Sequence, residues 1–167
     1  MPEAVEDVGH ASVRIDELAD HPDLVETLAG WHWAAWGQPG ALPHWIETLR
    51  GRLYRDRIPT SLVAMAGDEP VGSVSIVEQD MSTHPEMGPW LAAVFVVPEY
   101  RGRGVGSELV RRAVRRAAEL GSAHVYLYTD DASGFYVRLG WSTVAEEDYE
   151  GHRVAIMAVE CGAGSVR

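Results

Sequence analysis

The chain has 167 residues, of which 46% are hydrophobic and 23% are charged, and these proportions are typical of one globular domain with a substantial core. Its formal net charge of −11 argues against nucleic-acid binding, which depends on neutralising phosphates, and weakly favours a cationic or amine partner. No apolar run approaches the roughly 18 residues of a membrane span, so we expect no membrane association.

Cysteine and histidine usage indicate the compartment and the metal content. The single cysteine, Cys161, cannot form an internal disulfide and fits a reducing compartment. The first seven residues lack the basic start and apolar stretch of a signal peptide, so we expect a cytoplasmic location. The seven histidines show no metal-ligand spacing, and we predict that no metal is bound.

Residues 12–161 are predicted to form a single domain, with a flexible leader at 1–11 and a flexible tail at 162–167. The spacing of apolar residues and turn residues predicts the elements. In chain order they are a strand at 12–18, a helix with Asp20 as N-cap that stops at 37–40, a helix at 43–54, a hairpin of strands 61–66 and 71–77 around the turn 67–70, a strand at 90–97, a helix at 105–120, a strand at 124–129, a helix at 132–139, and strands at 141–144 and 154–159. This order predicts an α/β protein with a mixed, mostly antiparallel sheet.

A glycine-rich turn connects the strand at 90–97 to the helix at 105–120. Pro98 ends the strand, and Gly102, Gly104 and Gly106 then alternate with other residues. The first N–H groups of a helix lack internal partners, and the helix dipole makes this end partly positive. Glycines let an anion approach the backbone, so the turn predicts a phosphate site. A turn that only reverses the chain is the alternative.

Two common phosphate motifs do not match this turn. The dinucleotide fingerprint G-x-G-x-x-G would need glycine where Ser107 and Leu109 stand, and the Gly-Lys-Ser/Thr end of the P-loop is absent. What remains is R-x-x-G-x-G, spelled Arg101-Gly102-Arg103-Gly104-Val105-Gly106, between a V-F-V-V-P strand and a long helix. This arrangement resembles the acetyl-CoA-binding motif of the GNAT superfamily of N-acetyltransferases.

The resemblance covers about residues 13–160 and implies the GNAT fold, a mixed, mostly antiparallel sheet of six to seven strands flanked by about four helices. It implies that a bulge near Val94 separates this strand from the strand at 124–129, and that a backbone N–H there faces the thioester oxygen of acetyl-CoA. Such a donor is worth roughly 3–4 kcal/mol in a dry site. The implied coenzyme contacts are Val94, Phe95, Val96, Arg101, Gly102, Arg103, Gly104, Val105, Gly106, Ser107, Thr129, Ser133 and Tyr136.

Tyr136 is the implied general acid, from the family pattern A-x-x-F-Y-x-x-x-G-F, which reads Ala132 to Trp141 in this chain. A phenol with a pKa of about 10 stays protonated at neutral pH and can donate to a departing thiolate. The alternative is a tyrosine packed under the sheet. Thr129 stands where the family often has asparagine, so its contact with the pantetheine arm is expected to be weaker or differently made.

The acceptor side is less clearly marked. Histone-type relatives carry a glutamate base where this chain has Trp90, so no base can be carried over. Asp80, at the end of its strand, is our first choice for base and amine ligand, with Glu86 as a second ligand. Ordinary solvated loop charges are the alternative. Trp33 and Trp36, in a tryptophan-rich helix, are candidates for the substrate mouth, although core packing would also explain them.

These observations predict an acetyl-CoA-dependent N-acetyltransferase that acts on a primary amine of a small molecule by direct attack. The alternative is a non-catalytic acyl-CoA-binding or sensor module on the same fold, which the missing base and Thr129 keep open. A homodimer is possible.

Overall fold

The structure is a computed structural model that describes residues 12–37 and 41–162. The predicted leader at 1–11, the predicted helix stop at 38–40 and the predicted tail beyond Gly162 lie outside these residues.

The described residues form seven strands, four α-helices and three short 3₁₀ turns. The strands are β1 (Val13–Glu17), β2 (Thr60–Ala66), β3 (Glu69–Val77), β4 (Trp90–Val96), β5 (His124–Thr129), β6 (Ser142–Tyr149) and β7 (His152–Glu160). The helices are α1 (Val25–Trp36), α2 (Leu42–Arg50), α3 (Val105–Glu119) and α4 (Ser133–Arg138), and the 3₁₀ turns are Leu18–Asp20, Pro22–Leu24 and Pro98–Tyr100.

The seven strands form one sheet in the order β1-β2-β3-β4-β5-β7-β6. Neighbouring strands are antiparallel except β4 and β5, which are parallel. The helix α3 connects these two strands, as a crossover between parallel strands requires. The predicted α/β class and the mixed, mostly antiparallel GNAT-type sheet are therefore confirmed.

Helices cover both faces of the sheet, and β2 shows how. Leu62 and Ala64 belong to the core under α3, whereas Val63 and Met65 belong to the core under α1 and α2. Because alternate residues of a strand point to opposite faces, every residue of β2 is buried. On α3, Leu109 is fully buried in the first core, and burying a leucine contributes about 1.5–3 kcal/mol.

Several predicted boundaries are wrong. Asp20 does not cap a helix but ends a 3₁₀ turn, and Leu24 occupies the N-cap position of α1. The helix α2 ends at Arg50 rather than at 54. In the hairpin, Ala66 pairs with Glu69, so the connecting turn has two residues instead of the predicted four. The glycine at 67 has a φ of +62°, as turns between paired strands commonly require.

The strand β6 is twice as long as the predicted 141–144. Its residues are mostly exposed and lack the alternation that signals a strand, but they pair with β7 from Ser142↔Ala158 to Tyr149↔His152. Backbone pairing with a buried neighbour thus forms this strand. None of the helices among the described residues is long and apolar enough to cross a membrane.

Candidate functional site

The sheet opens between β4 and β5. These strands pair only at Trp90↔Tyr126, where the Tyr126 N–H donates to the Pro89 carbonyl over 2.9 Å. Further along β4, its register with β3 shifts, and Ala93 has a φ of +55°, which is uncommon for a residue with a side chain. The bulge expected near Val94 is therefore present, and it turns β4 away from β5.

A cavity of about 560 Å³ fills this opening, a size within the usual range for small-ligand sites. Its walls are residues 91–94 of β4 and 127–129 of β5, joined by the start of the α4 region at 130–132 and by Tyr136. The remaining lining comes from α1, from α2 and the segment after it, from the connector after β3, and from β6, β7 and the turn between them: Trp36, Trp45, Arg52, Asp80, Tyr149, Glu150, His152 and Val154. Of the predicted coenzyme contacts, Val94, Thr129 and Tyr136 line this cavity.

The glycine-rich turn ends in an N-terminus of α3 with free donors. Gly102 and Gly104 have φ values of +76° and +83°, which only glycine adopts readily. The first helical bond runs from the Glu108 N–H to the Gly104 carbonyl over 3.0 Å, and no side chain caps the helix. Three N–H groups, at 105–107, therefore precede the hydrogen-bonded turns, as at other anion sites.

The two arginines of this turn are exposed. Arg101 Nε donates to the Val96 carbonyl over 2.9 Å, and its guanidinium lies 5.6 Å from the Phe95 ring centre. Arg103 lies 5.0 Å from the Tyr100 ring centre. Phe95 and Val96 themselves pair with β3. These residues and Ser133 do not line the cavity, so the turn forms a separate part of the site.

Tyr136 lies between the core and the cavity. It is 8% exposed, its ring packs edge-on against Phe135 and Trp141, and it lines the cavity. Burial, with a smaller effect of Asp131, raises the pKa of Tyr136 to about 12. The phenol is thus protonated throughout the neutral range. Thr129 Oγ1 accepts a hydrogen bond from the Ala132 N–H over 3.0 Å, which fixes the turn before α4.

Asp80 is a half-buried carboxylic acid that also lines the cavity. Burial raises the pKa of Asp80 to about 6; Arg52 opposes this shift and Glu150 adds to it. Arg52 also lines the cavity, and burial lowers the pKa of its guanidinium while Asp80 raises it. A carboxyl group that titrates near neutrality in a cleft is typical of a functional site.

Two other residues predicted on the acceptor side lie elsewhere. Glu86 does not line the cavity; it is exposed and lies 3.3 Å from His84, which contacts Glu147 of β6 over 2.8 Å. Trp33 is also not among the lining residues. Trp36 does line the cavity and is 47% exposed.

Trp90 replaces the glutamate base of histone-type relatives with a buried indole. It is fully buried, and its Nε1 donates to the Met87 carbonyl over 2.9 Å. Its indole thus helps to hold the start of β4.

Sequence reasoning missed His32, Arg52 and Tyr128. His32 is 1% exposed and its Nε2 lies 3.0 Å from Ser73 Oγ; burial and then Arg52 lower the pKa of His32 to about 4, so the ring is neutral. Its ring lies 5.3 Å from that of Trp36. Tyr128, on β5, has its pKa raised by burial and by Asp80. No local motif marks these residues, because only the tertiary fold brings them together.

The fold and the site define an α/β domain that can hold a phosphate-bearing ligand beside an opened sheet. Residues 25–141 match the sequence model of the Acetyltransferase (GNAT) family. The chain belongs to this family.

Two curated relatives are similar to parts of the chain. N-alpha-acetyltransferase 30 of Schizosaccharomyces pombe is 31% identical over 85 residues, which are 48% of this chain and 56% of that protein. Peptidyl-lysine N-acetyltransferase YjaB of Escherichia coli is 28% identical over 99 residues, which are 59% of this chain and 60% of that protein. The chain therefore matches somewhat more than half the length of these relatives.

A solved structure of an aminoglycoside 6'-N-acetyltransferase complexed with coenzyme A superposes with a TM-score of 0.71. It is 18% identical, and the match covers 89% of this chain and 97% of that one. At this identity the likeness establishes the fold. Within 12–37 and 41–162, no group of three or more His, Cys, Asp or Glu side chains is arranged to hold a metal ion.

Proposed function

We propose that this protein is an acetyl-CoA-dependent N-acetyltransferase that transfers the acetyl group directly to a primary amine of a small molecule. The observation that carries the proposal is the cavity at the opening of the sheet, which brings Val94, Tyr136 and Asp80 together. Membership of the GNAT family supports the reaction class.

The residues present fit the coenzyme. The free N–H groups at 105–107 and the left-handed Gly102 and Gly104 suit a pyrophosphate, and a Cβ added at either glycine would meet no atom within 4 Å, which indicates open space there. The edge of β4 that β5 leaves at the bulge suits an extended pantetheine arm, which hydrogen-bonds as an added strand does. When bound, acetyl-CoA supplies an activated acetyl thioester.

Tyr136 supplies the acid in this proposal. Its raised pKa keeps the phenol protonated at neutral pH, so it can give its proton to the thiolate that leaves. The backbone N–H groups at the bulge around Val94 are candidates for stabilising the oxyanion, because backbone N–H groups fixed in the fold need no reorganisation during the reaction.

Asp80 supplies the base. An amine must lose a proton to attack, and a carboxylate with a pKa of about 6 is ionised at neutral pH yet basic enough to accept that proton directly or through a water. Glu150, which also lines the cavity, adds negative charge that favours an ammonium group.

A small acceptor is favoured over a protein by the size of the cavity and by its aromatic lining. Trp36, Trp45, Tyr128 and Tyr149 line the cavity together with Asp80, and aromatic walls suit the apolar part of a small ligand. Aminoglycosides, peptides and lysine side chains, which the names of the related proteins mention, are candidate acceptors to include in a screen.

The test is release of the free coenzyme A thiol from acetyl-CoA over a panel of small amines, with mass detection of the acetylated product. We expect turnover of at least one amine. Tight binding of acetyl-CoA without turnover of any amine would favour the non-catalytic acyl-CoA-binding module.

A further inference from the structure

Arg52 is a charged group in the cavity that the mechanism above does not use. It follows the end of α2, is half-buried and lines the cavity together with Asp80. Its electrostatic partner is Asp80, but neither an ion pair nor a side-chain hydrogen bond joins Arg52 to any residue of the described ranges.

Three other arginines of the described residues have carboxylate partners. Arg14 contacts Asp16 over 3.0 Å, Arg50 contacts Glu26 over 3.5 Å, and Arg116 contacts Glu17 over 2.7 Å. Arg52 differs from them because its guanidinium lies in the ligand cavity and its nearest opposite charge, Asp80, lies in the same cavity without pairing with it. Such an arrangement leaves the fork of donors available to a ligand.

We propose that Arg52 binds a carboxylate of the acceptor, so that the acceptor is a zwitterionic amine of the amino acid class. In this arrangement the acceptor amine lies toward Asp80 and its carboxylate toward Arg52. The inference rests on the proposed function and specifies the substrate of the same site.

The chemistry of Arg52 and of Asp80 supports this placement of the carboxylate and the amine. A guanidinium presents parallel donors that match the two oxygens of a carboxylate, and partial burial strengthens the interaction relative to bulk water. Asp80 and Glu150 supply the negative charge that an ammonium needs. A purely cationic acceptor would instead place an ammonium near the unpaired Arg52, and like charges in one cavity repel.

The nearby rings favour amino acids with an apolar or aromatic side chain. Trp36 and Trp45 lie 6.3 Å apart between ring centres and both line the cavity with Arg52. A side chain between the amine and these rings would be covered by apolar surface. An amino acid and the amine formed by its decarboxylation carry the same side chain. In this site, only the carboxylate would therefore distinguish them.

The test compares matched acceptors with and without the carboxylate: phenylalanine with phenethylamine, tryptophan with tryptamine, and lysine with cadaverine. For the wild type, we expect kcat/KM to be at least tenfold higher for the carboxylate member of the best pair. In Arg52→Gln, the ratio of the two kcat/KM values should fall to about one, because kcat/KM for the amino acid decreases. Arg52→Lys, which keeps the positive charge but lacks the paired guanidinium donors, should show an intermediate preference. Arg50→Gln, two residues away and 61% exposed, is the matched control and should retain the preference.

Some outcomes overturn the inference while leaving the proposed function in place. These are turnover with no preference for the carboxylate member, a preference for the decarboxylated amine, or an equal loss on both members in Arg52→Gln. If no amine is turned over, the proposed function fails, and binding decides the inference. With coenzyme A present, N-acetylphenylalanine should then bind the wild type at least tenfold more tightly than N-acetylphenethylamine by calorimetry, and Arg52→Gln should remove the difference. Equal binding overturns the assignment.

Discussion

Tyr136 has a packing role and, in the proposed function, a chemical one. Its ring belongs to the core cluster that also holds Leu109 and Trp141, while the residue lines the cavity. Substitution by phenylalanine keeps the ring and removes only the hydroxyl, so it separates the two roles.

We expect Tyr136→Phe to lower kcat at least tenfold, because the departing thiolate loses its proton donor, with little change in the Kd of acetyl-CoA. Steady-state kinetics and calorimetry measure the two quantities. Tyr54→Phe makes the same chemical change at an exposed tyrosine outside the cavity and should leave kcat unchanged. An unchanged kcat in Tyr136→Phe would assign the tyrosine to packing alone.

The pKa of Asp80, raised to about 6 mainly by burial, predicts a specific pH dependence. A base acts only when ionised, so kcat/KM should fall about tenfold per pH unit below pH 6. In Asp80→Asn, this fall of kcat/KM at acid pH should disappear. At pH 7.5, kcat/KM should be at least tenfold lower than in the wild type. Asp68→Asn, in the exposed hairpin turn, is the control. An acid limb with a pKa near 6 that survives in Asp80→Asn would exclude Asp80 as the base.

The same residue links pH to stability. Because the folded-state pKa is above the ordinary value of 3.8, the stabilising contribution of Asp80 is fully present below that value and is lost as the pH rises through about 6. At pH 7.5 the ionised group therefore costs stability. A melting temperature of Asp80→Asn equal to or above that of the wild type at this pH is expected from thermal unfolding.

Individual residues were predicted from the sequence only where a local motif marked them. Tyr136 follows Phe135 in a recognisable pattern, and Asp80 follows the end of a strand. Arg52 and His32 carry no such mark, since only the tertiary fold brings Arg52 near Asp80 and His32 near Ser73. The position of Glu86 in the connector predicts that it lies on the acceptor side, but it pairs with His84, a contact that the sequence does not predict.

The turn before α3 exposes the helix N-terminus at which we propose that the coenzyme binds. Gly104 is its N-cap, with a φ of +83°. At the opposite end of the same helix, Gly121 has a φ of +96°. These two glycines share a backbone conformation and differ in their distance from the proposed coenzyme site.

We expect Gly104→Ala and Gly121→Ala each to lower the free energy of unfolding by about 1–2 kcal/mol, the cost of a left-handed residue with a side chain. Only Gly104→Ala should also raise the Kd of acetyl-CoA, by tenfold or more, because only Gly104 lies at the proposed coenzyme site. Chemical denaturation and calorimetry measure the two effects. An equal rise of Kd in both variants would indicate a general loss of helix order.

Elements with strong periodicity were predicted well. The helix α3 and the strand β5 lie within one residue of their predicted bounds, because a wide apolar stripe and a short β-rich run are local signals. The start of α1 and the length of β6 were missed. Both depend on tertiary contacts: 3₁₀ turns precede α1, and pairing with β7 forms β6.

At the scale of the whole molecule, the sheet consists of two parts, which are joined by a single residue pair between β4 and β5, Trp90↔Tyr126. One part contains β1 to β4 and the other contains β5 to β7. A ligand held between β4 and β5 contacts both parts. Its binding energy therefore contributes to the stability of the whole fold.

Acetyl-CoA at a free concentration of 100 times its Kd should stabilise the protein by about 2.7 kcal/mol, and thermal unfolding should show a corresponding rise in melting temperature. Hydrogen exchange should slow in β4 and β5 on binding. Free acetate together with adenosine is the control, since neither spans the opening. Protection confined to the glycine-rich turn would contradict a ligand that lies along β4.

The parting of β4 and β5 also gives the protein an edge inside its sheet. The outer edge strand β6 carries Glu146, Glu147 and Asp148, and charged side chains discourage pairing with other chains. The edge along β4 after the bulge has the apolar sequence of Val94 to Val96 and no such protection. Without a ligand, this segment is therefore a place where another extended chain can add. If the coenzyme binds there as we propose, its occupancy would also protect the protein against self-association.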